Sequence, residues 1–264
     1  MTSAVTSSYV LEHFIRSDTA RERLAWWRND PKRVDVVPKV MAHKSRVVLE
    51  VATTDVEAVC RDTDHALERI RREDAEEVEY IRDWTCPFAM THVFHFITER
   101  DGVIPTWQQF KERHSTPEFS SIILEPAEEA VDYCVERLDI SRPRAQDAMQ
   151  WRIGNAYYSF LREQWVHAYL RSQGIGILQH PLADALFAVD GWVGSGVLSL
   201  FIGNSEFRSL ASGRKRTARE RLAGSQPPFT FINMQLPIPD KFGDVFLPSR
   251  SMLDQYIRRE FGNR

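Results

Sequence analysis

The hydrophobic pattern of this chain changes period once, near residue 175, and that change limits the folds open to it. Before it, apolar residues recur at spacings of three and four, as in YVLEHFIRS, TARERLAWWRND, EPAEEAVDYCVERLDI and RIGNAYYSFLREQWVHAYLRSQ, the period of amphipathic helices. After it come apolar runs of strand length with Gly or Pro at their ends: GIGILQHP, ALFAVD, GVLSLFIGN and FTFINMQL. The basic segment around Gly213–Leu222 reads as a helix between the third and fourth runs, and SRSMLDQYIRREF closes the chain as another. The expected class is therefore α+β. A helical domain over 1–140 precedes an α/β domain over 150–264, ordered helix, three strands, helix, strand, helix, with a mixed sheet covered by helices. ISRPRAQ, where the periodicity lapses around Ser141 and Pro143, is the expected boundary.

Within the helical half, Asn29-Asp30-Pro31 stops the second helix, and VPKVMAHKSRVVLEVA fits a helix or a strand equally well. From Thr53-Thr54-Asp55 one long helix is predicted to about Asp83, its charges alternating in sign at helical spacing, until Cys86-Pro87 breaks it. FAMTHVFHFITERDG then predicts a buried helix ending at Gly102, and Pro105-Thr106 signals the start of another. Two helices joined by a short glycine turn near 88–114 have the outline of a helix-turn-helix, although helix pairs occur in any bundle.

Charge is divided unevenly. The 264 residues carry a net charge of −3, but residues 151–264 hold 14 Lys and Arg against 9 Asp and Glu, leaving the first 150 residues with 20 against 28. A basic C-terminal half beside an acidic N-terminal half points to DNA or another polyanion as partner of the former and to a protein as partner of the latter. FRSLASGRKRTARERL is the densest basic run, and Arg208, Arg214, Lys215, Arg216 and Arg219 are its candidate phosphate contacts. Cys60, Cys86 and Cys134 form no CxxC pair, so reduced thiols are expected. No apolar run has the length of a membrane span, and MTSAVTSSYVLEHFIRS lacks the apolar core of a signal peptide, which predicts a cytoplasmic protein without a membrane partner.

The element order over roughly 150–236 resembles the core of the PD-(D/E)XK restriction-endonuclease-like superfamily, in particular its transposon-end-cutting and Holliday-junction-resolving branches. The resemblance implies a glutamate on the first helix and an aspartate ending a strand, both around Mg²⁺, with a carboxylate-x-lysine pair on the next strand. Hard divalent cations favour oxygen ligands, and an ammonium stabilises charge developing on phosphorus. Glu163 in FLREQW and Asp190 at the end of ALFAVD match the first two positions. The third strand departs from the pattern, for Ser199-Leu200-Phe201 stands where the pair would be. Relocation to the following helix would put Glu206, Arg214 or Lys215 in that role, and Lys215 is the implied phosphate-stabilising lysine. Asp184 is a further acid, placed by strand alternation on the same face as Asp190.

Competing assignments are a solvated Glu163 paired with Arg162 or His167, a turn role for Asp190 before Gly191, and a purely phosphate-contacting Lys215. Cys86, His92, His95 and His114 could be grouped as zinc ligands, but His92 and His95 on an apolar helix read better as satisfied core histidines. The tryptophans Trp26, Trp27, Trp151, Trp165 and Trp192 read as core. There is no Walker-type GxxxxGK[ST] and no GxSxG, and GWVGSG is not followed by a helix. The resemblance implies a DNA-processing component of a prokaryotic mobile-element or phage-defence system. It would be a Mg²⁺-dependent endonuclease through Glu163, Asp190 and Lys215 or, with the acid-x-lysine pair lost, a non-catalytic DNA-binding or assembly subunit. A protein–protein adaptor working through the acidic half is the third expectation.

Overall fold

In the computed structural model, residues 4–84, 86, 89–202, 217–238, 240–243 and 245–262 are described. Helices dominate the first two thirds: α1 (Ser7–Phe14), α2 (Asp18–Asn29), α3 (Val36–Ala42), α4 (Val47–Glu50), α5 (Thr53–Asp62), α6 (Arg72–Glu76), α7 (Glu79–Asp83), α8 (Met90–Asp101), α9 (Trp107–His114), α10 (Pro117–Phe119) and α11 (Glu125–Leu138). Two short strands, β1 (Val5–Thr6) and β2 (Lys44–Ser45), pair antiparallel among them, and residues 120–124 form a π-helical turn. There follow α12 (Arg142–Ser172), α13 (Pro181–Phe187), β3 (Gly191–Val193), β4 (Gly196–Ile202), α14 (Ala218–Arg221), β5 (Thr230–Leu236), the hairpin β6 (Asp240–Phe242) and β7 (Val245–Leu247), and α15 (Arg250–Phe261). The fold is α+β, as expected.

Helix α12 organises the molecule. It starts at Arg142, with Ser141 as its N-terminal flank and Pro143 in its first turn, so ISRPRAQ, the expected boundary, is the opening of this helix. It packs against α4, α5, α6, α7, α8 and α11 and against β4 and β7. From Tyr157 to Leu170 nearly every residue is buried, the signature of a helix running through a core rather than along its edge. One buried apolar cluster takes residues from Val5 to Leu253, spanning both sides of residue 140. Gly154 lets α12 approach the loop after α5, for a Cβ there would lie 2.8 Å from the Ala66 carbonyl oxygen. Glu57 ties three helices: from its place on α5 it accepts from the buried Trp165 indole of α12 at 3.1 Å and from the exposed Arg250 of α15 at 2.7 Å.

Three expectations need correction. The helix predicted over 55–83 is three helices. Thr63 leaves α5 extended because its hydroxyl accepts from the Trp107 backbone at 2.8 Å and meets the Tyr157 hydroxyl at 3.2 Å, tertiary partners that outweigh local charge pairing. ALFAVD is not a strand. His180 caps α13 by accepting from the Leu182 backbone at 3.0 Å and Pro181 occupies its first position, so the apolar run follows a helix start signal. GIGILQHP supplies only one bridge, Leu178 to Trp192. Of the basic segment, the described part that is helical is Ala218–Arg221.

The sheet itself matches the expected mixed topology: β3 is antiparallel to β4, and β4 runs parallel to β5 from Gly196↔Thr230 to Ile202↔Leu236. On β5 the alternation is clean, with Ile232, Met234 and Leu236 inward and Asn233 and Gln235 outward, and α15 packs beside that strand. Among the described residues no helix is long and apolar enough to cross a membrane.

Candidate functional site

Because α12 runs through the core, its polar residues must find partners inside the protein. Gln164 and Gln179 exchange two amide hydrogen bonds, at 3.0 and 2.8 Å, and Gln179 also donates to the Val48 carbonyl at 3.3 Å. With its Oε1 an acceptor, Gln179 takes the Nδ1–H of His167 at 2.9 Å. That tautomer leaves the His167 Nε2 lone pair buried, unpartnered among the described residues, and facing the backbone of Gly191, where a Cβ would sit 2.9 Å from it. One turn back on α12 stands Glu163.

Glu163 faces a small cleft whose other walls come from α8 (Thr91, His92, His95), from the segment Gln179–Pro181, from Asp184 on α13, and from Val189 and Asp190 at the entrance to β3. Its volume is about 10 Å³, room for one water-sized body. Asp184 sits on a helix, so the strand alternation expected to align it with Asp190 does not operate. The turn through Ala188, held in a left-handed conformation with φ of 55°, brings the two acids to the same cleft instead. Asp190 lies between α13 and β3, and its carboxylate accepts from the Leu200 backbone N–H on β4 at 2.5 Å. That contact fixes it to the strand on which the carboxylate-x-lysine pair is absent. Asp184 takes a hydrogen bond from His92 Nε2 at 2.9 Å.

Burial holds the Glu163 carboxyl well above its ordinary value of 4.5, and the charges of Asp190 and Asp184 push it further the same way. The exposed Glu163 paired with Arg162 or His167 is thus not what forms. Histidines line the far side. His180 accepts at Nδ1 and donates from Nε2 to the His43 carbonyl at 3.1 Å, which assigns its neutral tautomer. Burial lowers His180 to about 4, His43 to about 3 and His167 to about 3, and takes His95 well below the ordinary 6.5. His95 is buried in the core as expected but not satisfied there, since its Nδ1 has no partner among the described residues. His92 joins the acids, and His114 lies away on α9, so the zinc grouping does not assemble.

Among the described residues no group of three or more His, Cys, Asp or Glu is placed to hold a metal ion. The cleft gathers the carboxylates of Glu163, Asp184 and Asp190 around a gap of one water-sized body, while the Gln179 amide oxygen is already taken by Gln164 and His167. A hard divalent ion such as Mg²⁺ would have to be held here by one or two carboxylates, with water completing its shell.

No protein-family model matches this chain, and no curated protein or solved structure matches it either. Site and fold therefore carry the functional argument.

Of the residues expected at the site, Glu163 and Asp190 are brought together with Asp184, while Lys215, Arg208, Arg214, Arg216 and Glu206 lie outside the described residues. Arg219 is described and exposed, its guanidinium 4.9 Å from the centre of the Phe231 ring on β5. Sequence reasoning did not foresee the surroundings. A second cleft of about 170 Å³ shares His92 and Asp184 with the first and is edged by Arg33 and Arg221. Beside Arg33, Trp26 is 51% exposed, with Arg23 at 4.2 Å and Arg33 at 4.7 Å from its ring centre, so this tryptophan is not core. The neighbouring Trp27 is, and the Trp26-Trp27 pair by itself could not say which of the two faces out.

Proposed function

We propose that this chain acts on DNA through a restriction-endonuclease-like core, as a metal-dependent phosphodiesterase of a prokaryotic mobile-element or phage-defence system. One observation carries the reading: Glu163 from a core helix and Asp190 from the head of a strand, far apart in sequence, meet with Asp184 in one ion-sized cleft. The sheet order, antiparallel and then parallel through a crossover, supports the same reading.

Asp190 and Glu163 are the residues that would hold Mg²⁺. When bound, that ion supplies Lewis-acid polarisation of a phosphoryl oxygen. The protein's own part is positioning. The β4 backbone orients Asp190, His92 orients Asp184, and the raised affinity of Glu163 for a proton allows it to hold one until a cation displaces it. The second cleft, edged by Arg33 and Arg221, lies beside the acids and is suited to a phosphate. Lys215 and its basic neighbours are the proposed phosphate contacts on the other side.

A second reading has a specific observation in its favour. β4 bears Ser199, Leu200 and Phe201 where an acid and a lysine would be expected, which suits a DNA-binding or assembly subunit without catalysis. Nicking of supercoiled plasmid in Mg²⁺ or Mn²⁺, beside Asp190→Ala and Glu163→Gln, separates the two. Cutting that needs the metal and both acids supports the enzyme. Salt-sensitive retention of DNA without cutting supports the subunit. Neither cutting nor binding refutes both and favours an adaptor acting through the acidic half.

A further inference from the structure

A larger cavity lies in the wedge between α9, α11 and α12 and shares no lining residue with the acidic cleft. Its volume is about 530 Å³, within the range of sites for small organic molecules. The lining is graded in polarity. Its buried side chains are chiefly apolar, with Trp107 and Phe110 from α9, Val131 from α11, and Met149 and Ile153 from α12. Its exposed side chains, Lys111, Glu128, Arg142 and Gln146, are all polar or charged. An occupant that suits both zones has an apolar body and one polar end.

The charge of that end follows from how the rim is already paired. Arg142 of α12 lies 2.5 Å from Asp132 of α11, and Lys111 of α9 lies 3.9 Å from Glu68, so each rim cation has a carboxylate beside it. Glu128 has no ion pair or hydrogen bond among the described residues. It stands one turn before Asp132 on α11, and its charge reaches the His114 ring on the α9 wall, where it favours a proton that burial resists. Burial prevails and holds His114 below its ordinary value, and the ring donates from Nδ1 to the Lys111 carbonyl at 2.6 Å, which makes Nε2 an acceptor. The unmatched charge at the rim is therefore negative. An anionic end would meet the repulsion of Glu128 with both cations already matched, whereas an ammonium would find a partner.

We infer that this cavity binds an apolar amine, an aryl- or alkylammonium whose body lies among α9, α11 and α12 and whose cationic end pairs with Glu128. The site stands apart from the phosphodiesterase reading and is tested without it.

Phenethylamine, phenethyl alcohol and hydrocinnamate are suitable probes, for they share a ring and chain and end in a cation, a neutral group and an anion. In ¹H–¹³C spectra of the methyl-labelled full chain, the Met149 methyl signal, identified by its loss in Met149→Leu, should move with the amine and with the alcohol. The amine should bind about two- to five-fold more tightly than the alcohol, the worth of one exposed ion pair, and hydrocinnamate most weakly. Glu128→Gln, at an exposed position, should melt close to the wild type and bring the amine down to the affinity of the alcohol. Added salt should narrow the same gap in the wild type. A Met149 methyl that stays still at millimolar amine, an alcohol or carboxylate bound at least as tightly as the amine, or an amine preference that survives Glu128→Gln would each overturn the inference.

Discussion

Acid should unfold this protein through its buried histidines. His43, His167 and His180 titrate near 3, 3 and 4 in the folded chain against an ordinary 6.5, in each case chiefly because burial penalises the imidazolium. A depressed value means that between pH 6.5 and about 4 the unfolded chain binds protons that the folded one refuses. Stability is therefore complete above pH 6.5 and falls as the medium is acidified. Between pH 7 and pH 5 each histidine costs about 2 kcal/mol, and the three together about 6 kcal/mol as a ceiling. That is comparable with the whole stability of an ordinary domain, about 5–15 kcal/mol. Glu163 works the other way, because its raised affinity for a proton stabilises the folded form as pH falls. The assay is urea unfolding at pH 7, 6 and 5 for the wild type, His167→Gln and Glu163→Gln. The wild type should lose several kcal/mol over the two units, His167→Gln about 2 kcal/mol less, and Glu163→Gln somewhat more than the wild type. A midpoint that stays level from pH 7 to pH 5, or a His167→Gln slope equal to the wild type's, would refute the reasoning.

Three other perturbations have defined outcomes. Gly154→Ala drives a methyl to 2.8 Å from the Ala66 carbonyl oxygen, and despite the better helix propensity of alanine should cost about 1–3 kcal/mol in chemical denaturation. Glu57→Ala strands the buried Trp165 indole N–H and deprives Arg250 of its partner, for a loss of about 1–3 kcal/mol, checked by the denaturation midpoint. In metal-free buffer near pH 8, Glu163→Gln should raise the melting temperature by removing a buried charge that Asp190 and Asp184 repel, while Mg²⁺ should stabilise the wild type more than this variant. A lower melting temperature for Glu163→Gln would show that the carboxylate is paired rather than repelled.

What was legible in the sequence follows from the range of each signal. Helical period and local caps are properties of ten or fifteen neighbouring residues, so α1, α2, α8, α9, α11 and α15 stand close to where the pattern of apolar residues places them. β4 and β5 were legible for the same reason: they are apolar runs too short for a helix, with glycine at the head of one and proline before the other. Glu163 and Asp190 could be named because the order of elements around them carries a chemical expectation.

Where a distant partner decides, local pattern misleads. Thr63 breaks a helix that its neighbours would continue because Trp107 and Tyr157 lie beside it, and nothing within fifteen residues announces either. ALFAVD is the opposite case, for it has a strand's length and composition, and the His180 cap and Pro181 that make it a helix are local signals standing just before it. The basic segment that includes Lys215 remains a sequence expectation, since residues 203–216 lie outside the described structure. The sequence by itself determined the α+β class, most of the helices and the strands β4 and β5, and it named Glu163, Asp184 and Asp190. Only the tertiary structure decided that His92 meets Asp184 across 92 positions, that a turn on α13 rather than strand alternation brings Asp184 to Asp190, and that the cleft admits one small body. Periodicity tells which face of an element is buried. Which face meets it is settled by how α12 threads the core, and that is a property of the whole packed chain.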